Sequence, residues 1–124
     1  MADEITLTAA IAYEDSEDSD ILLALPTDVQ VTVSTKKFVH AKQSIGLSEE
    51  AIGLGEVTSL GWSIFINRDS ANFINLKTGT GGTIIMKIPA GKCAGPFLFG
   101  SGITAPFAIA DTAACQLEYL IVSL

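Results

Sequence analysis

Few side chains in this sequence are equipped for chemistry, and each can be weighed by its neighbours. The one histidine, His40, lies in the alternating run Phe38-Val39-His40-Ala41-Lys42. Zinc and non-haem iron centres draw on several His or Cys ligands, and the β-barrel metalloenzymes need clustered histidines plus a carboxylate. A lone imidazole is therefore read as a packing or solvent-facing residue. Cys93 and Cys115 are too few for a disulfide-stapled secreted scaffold and read as small buried apolar residues. Two short motifs suggest a nucleophilic serine: Ser34-Thr35-Lys36-Lys37 fits S-x-x-K, and Lys77-Thr78-Gly79 fits K-T-G. That chemistry needs the serine at the start of a helix in a longer chain, with a third S-D-N element. Here Ser34 follows a β-branched run, Lys77 leads into a glycine turn, and S-D-N does not occur. The lead fails.

Three further constellations invite a binding reading. Thr78-Gly79-Thr80-Gly81-Gly82 could cradle a phosphate, but the G-x-x-x-x-G-K-[ST] spacing is missing and no helix follows. It reads as a hairpin turn. Glu14, Asp15, Glu17, Asp18 and Asp20 offer hard oxygen ligands for Ca²⁺. They lack the glycine at loop position 6 and the glutamate at position 12 of an EF-hand, so the run reads as a solvated acidic loop. Trp62 with Phe65 and Phe73 could form a sugar-stacking platform, although aromatics on adjoining strands more often pair in a core. No catalytic, cofactor-binding or metal-binding residue is assigned, no cofactor is expected, and the chain is not expected to be an enzyme.

The elements that must position these residues are strands. Ile5 to Ile11 places Ile5, Leu7 and Ile11 on one face with threonines on the other. Val29-Gln30-Val31-Thr32-Val33 alternates and is β-branched, Trp62 to Ile66 sets Trp62, Ile64 and Ile66 together, and Thr83 to Ile88 does the same for Ile84, Met86 and Ile88. Gln116 to Val122 is a near-continuous strand, with shorter candidates at Ile21 to Leu25, Phe38 to Gln43, Phe73 to Leu76 and Pro96 to Phe99. Asn67-Arg68-Asp69-Ser70-Ala71-Asn72 is expected to join two of them as a hairpin loop. Ser48 to Ala51 could open one helical turn before Gly53 stops it, and Ala105 to Ala114 is ambiguous between helix and strand. Eight or nine short strands with regular turns predict an all-β antiparallel sandwich or barrel.

With 124 residues the chain is expected to be one domain spanning 1–124. Its charge is unevenly spread. Residues 1–28 hold eight acids and no base, while residues 29–124 hold six acids and all seven bases. The net charge of -7 argues against nucleic acid as the main partner. The uncharged run from Cys93 to Ala110 is broken by Gly95, Pro96, Gly100, Gly102 and Pro106, so no membrane helix is expected. Several strands are apolar on both faces, as at Ile64/Phe65, Ile84/Ile85, Phe97/Leu98/Phe99 and Leu120/Ile121/Val122. With only 17% charged residues, a lone small sandwich could not hide this surface. Other copies of the chain are expected to cover it.

Gly61-Trp62-Ser63-Ile64-Phe65-Ile66-Asn67-Arg68-Asp69-Ser70-Ala71-Asn72-Phe73-Ile74-Asn75-Leu76 resembles a pattern in small virion proteins of tailed bacteriophages. There a glycine-aromatic strand ends in N-x-D, turns, and resumes as N-[FY]-[VI]. Lys87-Ile88-Pro89-Ala90-Gly91-Lys92 and Gln116 to Ile121 resemble later segments of the same proteins, so the similarity runs over about residues 40 to 124. The resemblance implies a jelly-roll-like β-sandwich in the virion, assembled in the host bacterial cytoplasm. It implies a capsid decoration (cement) protein or another head or tail component, a homo-oligomer with a trimer favoured, seated on the major capsid protein or other virion proteins. A carbohydrate- or receptor-binding module using Trp62 is the alternative.

Overall fold

Alternating, β-branched runs separated by turn residues fold as the sequence dictates, into strands alone. The computed structural model describes the backbone of residues 3–9, 12–14, 21–24 and 27–33, and backbone with side chains for residues 37–100 and 102–123. Among the described residues there is no helix. The acidic run beyond Glu14 and the S-x-x-K residues 34–36 lie outside them. The chain divides into two units, Met1–Ser34 and Thr35–Leu124.

In the first unit, β1 (Asp3–Ala9) pairs antiparallel with β4 (Thr27–Val33), and β2 (Ala12–Glu14) with β3 (Ile21–Ala24). The pair Ala9↔Thr27 ends one ladder and Ala12↔Ala24 begins the other. Both chains have advanced by the same three positions, so the two ladders share one register. A slip comes only between Tyr13 and Glu14.

The second unit is a β-sandwich of two four-stranded antiparallel sheets. β5 (Phe38–Ile45), β7 (Leu60–Asn67), β10 (Cys93–Leu98) and β12 (Cys115–Ser123) form one, in the order β10-β7-β12-β5. β6 (Glu50–Ala51), β8 (Ile74–Lys77), β9 (Ile84–Ile88) and β11 (Phe107–Ala110) form the other, in the order β6-β11-β8-β9. The pairing is nested: β5 with β12, β6 with β11, β7 with β10 and β8 with β9. β8 and β9 are joined as a hairpin, through Thr78–Thr83. Gly82 closes that turn because a Cβ there would lie 2.3 Å from the Thr78 hydroxyl and 2.8 Å from the Gly79 nitrogen.

Two sequence expectations change here. Residues 67–72 do not close a hairpin, since β7 and β8 belong to different sheets and the segment crosses between them. Ser48 to Ala51 is no helical turn but runs into β6. Its short ladder to β11, the only strand within the ambiguous 105–114 stretch, offers backbone partners that one isolated turn cannot.

The core lies between the sheets. Phe65, Phe97, Phe99 and Tyr119 form an aromatic cluster, with Phe65 stacked on Tyr119 at 5.6 Å between centroids and on Phe97 at 5.9 Å. Ile74, Leu76, Ile88 and Ala108 close over it from the second sheet, each fully or nearly fully buried. β7 shows how neighbours rather than hydrophobicity choose the inward face. Gly61, Ser63, Phe65 and Asn67 are buried, while Trp62, Ile64 and Ile66 point outward and are half-buried. Ser63 tolerates the core because its hydroxyl donates to the Gly61 carbonyl at 3.1 Å. Beside it, Gly95 has φ +106°, and a Cβ there would meet the Ser63 carbonyl at 2.6 Å. Only glycine lets the two strands approach so closely.

Candidate functional site

The outward face of the β10-β7-β12-β5 sheet carries the site. Strand alternation and register lay its side chains in rows. Leu98 stands opposite Trp62, and Val122 opposite Phe38. Ile64 stands opposite Leu120, which is flanked on its other side by His40. The next row runs Cys93, Ile66, Glu118, Lys42. The first two rows are almost wholly apolar, and Phe38, Leu98 and Leu120 are 65%, 46% and 37% exposed. In the middle of the face is a hollow of about 180 Å³ lined by His40, Ile64, Ile66, Glu118, Tyr119 and Leu120.

At the polar end Glu118 gathers His40 and Arg68. His40 Nε2–H donates to its Oε2 at 2.9 Å, and both Arg68 Nε and a terminal Arg68 nitrogen reach its Oε1 at 2.8 and 2.7 Å. These hydrogen bonds, His40 foremost and Arg68 next, hold the Glu118 carboxyl below the usual carboxylate range. His40 and Arg68 remain mostly exposed. His40 thus faces outward and orients the Glu118 carboxylate.

Next to this face, Asn67 ties the sheets together. It is fully buried, and its side-chain amide donates to the carbonyls of Asn72 at 2.8 Å and Ile88 at 3.0 Å. Its Oδ1 accepts from the Asp69 N–H at 2.9 Å. Asp69 in turn accepts from the N–H groups of Ala71 at 3.0 Å and Asn72 at 2.6 Å, which lower its carboxyl pKa, Asn72 contributing most. The N-x-D pattern is therefore the knot of a crossover between sheets, built from Asx-type hydrogen bonds.

The remaining candidates take structural places. Lys77 of the K-T-G motif pairs with Glu49, whose other oxygen accepts from the Gly81 N–H at 2.7 Å and from Thr80 at 3.2 Å. Lys77 is the leading cause of the lowered Glu49 pKa. That carboxylate occupies the glycine turn from outside and leaves no open anion cradle. Trp62, Phe65 and Phe73 do not make one platform: Trp62 lies on the outer face, Phe65 is wholly buried, and the Phe73 ring sits beneath the Lys87 ammonium at 3.8 Å. Both cysteines are free. Cys115 is buried, and burial raises its thiol pKa. Cys93, expected to be buried, is exposed because it occupies the edge strand β10 on the outer face.

Neither His40 with Glu118 nor Lys77 with Glu49 had a signal in sequence spacing, because each pair meets only through the fold. Among the described residues no group of three His, Cys, Asp or Glu side chains is placed to hold a metal ion, and no helix is long and apolar enough to cross a membrane. The arrangement is an apolar face with a central hollow, edged by the Glu118–Arg68 pair. No protein-family model, no curated protein and no solved structure matches this chain.

Proposed function

We propose that this chain is a structural virion protein of a tailed bacteriophage, most simply a capsid decoration (cement) protein that binds the shell and other copies of itself. The observation that carries the reading is the outer face of the β10-β7-β12-β5 sheet. There β7 turns Trp62, Ile64 and Ile66 away from the core while Phe65 fills it, and Leu98, Leu120 and Phe38 continue the apolar field. The largest apolar patch on a monomer, typically about 300–600 Å², is often a functional surface. Four strands at about 4.8 Å spacing and eight residues at about 3.3 Å rise give a face of about 500 Å², enough for a stapling contact that needs no chemistry.

The nested pairing of β5 through β12 supports a jelly-roll reading, the eight-stranded arrangement on which viral capsid and lectin domains are built. Fold-level analogy of this kind raises the virion reading without selecting it. The resemblance of residues 61–76 to small virion proteins points the same way. Trp62 on the outer face keeps the carbohydrate-binding alternative in view, and a glycan array separates the two.

The deciding experiment mixes purified chain with assembled shells of the phage that encodes it and sediments them through sucrose. The expected result is co-sedimentation that saturates at a fixed ratio to the major capsid protein. A chain that stays at the top of the gradient at every concentration overturns the proposal.

A further inference from the structure

The outer face is self-complementary in one orientation. Its apolar residues lie on all four strands, whereas its charged ones do not. β5 carries His40 and Lys42 and β12 carries Glu118, but β10, Cys93-Ala94-Gly95-Pro96-Phe97-Leu98, has no charged residue at all. A twofold axis parallel to the strands and midway between β7 and β12 would lay β10 of one copy on β5 of the other, and β7 on β12. The register rows then set Leu98 against Phe38, Trp62 against Val122 and Ile64 against Leu120. Lys42 falls opposite the neutral Cys93 and Glu118 opposite Ile66, so the charged row of each copy lies at one end of the contact with no like charge directly opposite. An axis running across the strands would instead stack β5 on β5 with the rows reversed, setting Lys42 against Phe38 and Glu118 against Val122, which lays the charged row on the most apolar one.

We infer that the partner of this face is the same face of a second copy, packed sheet on sheet about a twofold axis parallel to the strands. This rests on reading the chain as a self-associating structural protein, and it replaces the threefold contact implied by the resemblance with an isologous one. Two such faces bury about 1,000 Å² together, at the lower bound of specific interfaces. The dimer is therefore weak in free solution and favoured where copies are held close, as on a lattice.

The test uses cysteine pairs in the full chain with Cys93→Ser. Leu98 and Phe38 stand on the two edge strands of one sheet, three strand spacings or about 14 Å apart, beyond the reach of a disulfide within one copy. Leu98→Cys combined with Phe38→Cys, on faces packed about 10 Å apart, is expected to give a covalent dimer with a short bis-thiosulfonate cross-linker, at least tenfold faster than either substitution alone. Sedimentation velocity of the unmodified chain is expected to show two-copy species growing with concentration, lost in Leu120→Lys and in Leu98→Lys. Ile84→Lys, at an equally exposed isoleucine of the other sheet, should retain them. Leu98→Lys serves if Leu120→Lys does not fold. Equal cross-linking by the single variants, a three-copy species, or a chain that remains a monomer up to about 500 µM would overturn the inference. A monomer that nonetheless co-sediments with shells leaves the virion reading standing; a dimer that ignores shells does the reverse.

Discussion

Replacing Asn67 tests the account of how the two sheets are joined. The side chain is fully buried and makes three hydrogen bonds, to the carbonyls of Asn72 and Ile88 and from the Asp69 N–H. In Asn67→Ala all three disappear, at about 1 kcal/mol net each. The backbone groups left without that partner add about 1 kcal/mol more, for a total near 4 kcal/mol. For a unit of about 90 residues this corresponds to a fall of roughly 15–25 °C in thermal midpoint. Urea denaturation followed by Trp62, the only tryptophan, reports on the sandwich specifically. Asn67→Asp sharpens the test. It keeps the shape and can still accept from Asp69, but at neutral pH it turns a carboxylate oxygen towards two carbonyls. Asn67→Asp should therefore be at least as damaging as alanine at pH 7. Asn72→Ala, which removes the acceptor for Thr112 at 2.7 Å and a side-chain hydrogen bond to Asp69 but keeps the carbonyl Asn67 uses, should cost about 1–2 kcal/mol. A loss below about 1 kcal/mol in Asn67→Ala, or a neutral Asn67→Asp, would refute the view that this amide holds the crossover.

The inverted faces of β7 predict opposite sensitivities at adjacent positions. Phe65→Ala should cost about 3–5 kcal/mol and Ile64→Ala about 1 kcal/mol or less by the same urea measurement, and the reverse order would contradict the assignment of faces. The pH dependence follows from the carboxyls of Glu49, Asp69 and Glu118, all held below their ordinary values. Their stabilisation is complete above the usual carboxylate range of about 4 and is lost as pH falls through the lowered folded values. Glu118→Gln should flatten the decline in unfolding free energy between about pH 5 and pH 2, and an unchanged slope would show that the His40–Arg68 cluster does not contribute.

How much of this was legible in the residues differs from element to element. The strands around Trp62, Met86 and Tyr119 were readable because alternation and β-branching act locally. Which face of β7 turned inward was not, because Ile64 and Phe65 are both apolar and the choice is made by β12 and β10, distant in sequence. The Asn67 segment illustrates the same limit: Asx hydrogen bonds cap a hairpin loop and a sheet-to-sheet crossover with the same side chains. The Glu118 cluster joins His40 to a residue 78 positions away and could appear only once β5 and β12 had been placed in register.

The nested order of β5 to β12 also dictates when the sandwich can exist. β12 pairs with both β5 and β7, so a central strand of its sheet is the last of the sandwich's strands in chain order. Until it emerges β8 and β9 can zip locally, but the earliest strand of the sandwich must wait for the latest one, and loop closure over that distance is slow. A nascent chain would hold its aromatic cluster open until Tyr119 of β12 has emerged, so its yield should depend on chaperones and growth temperature more than its final stability would suggest.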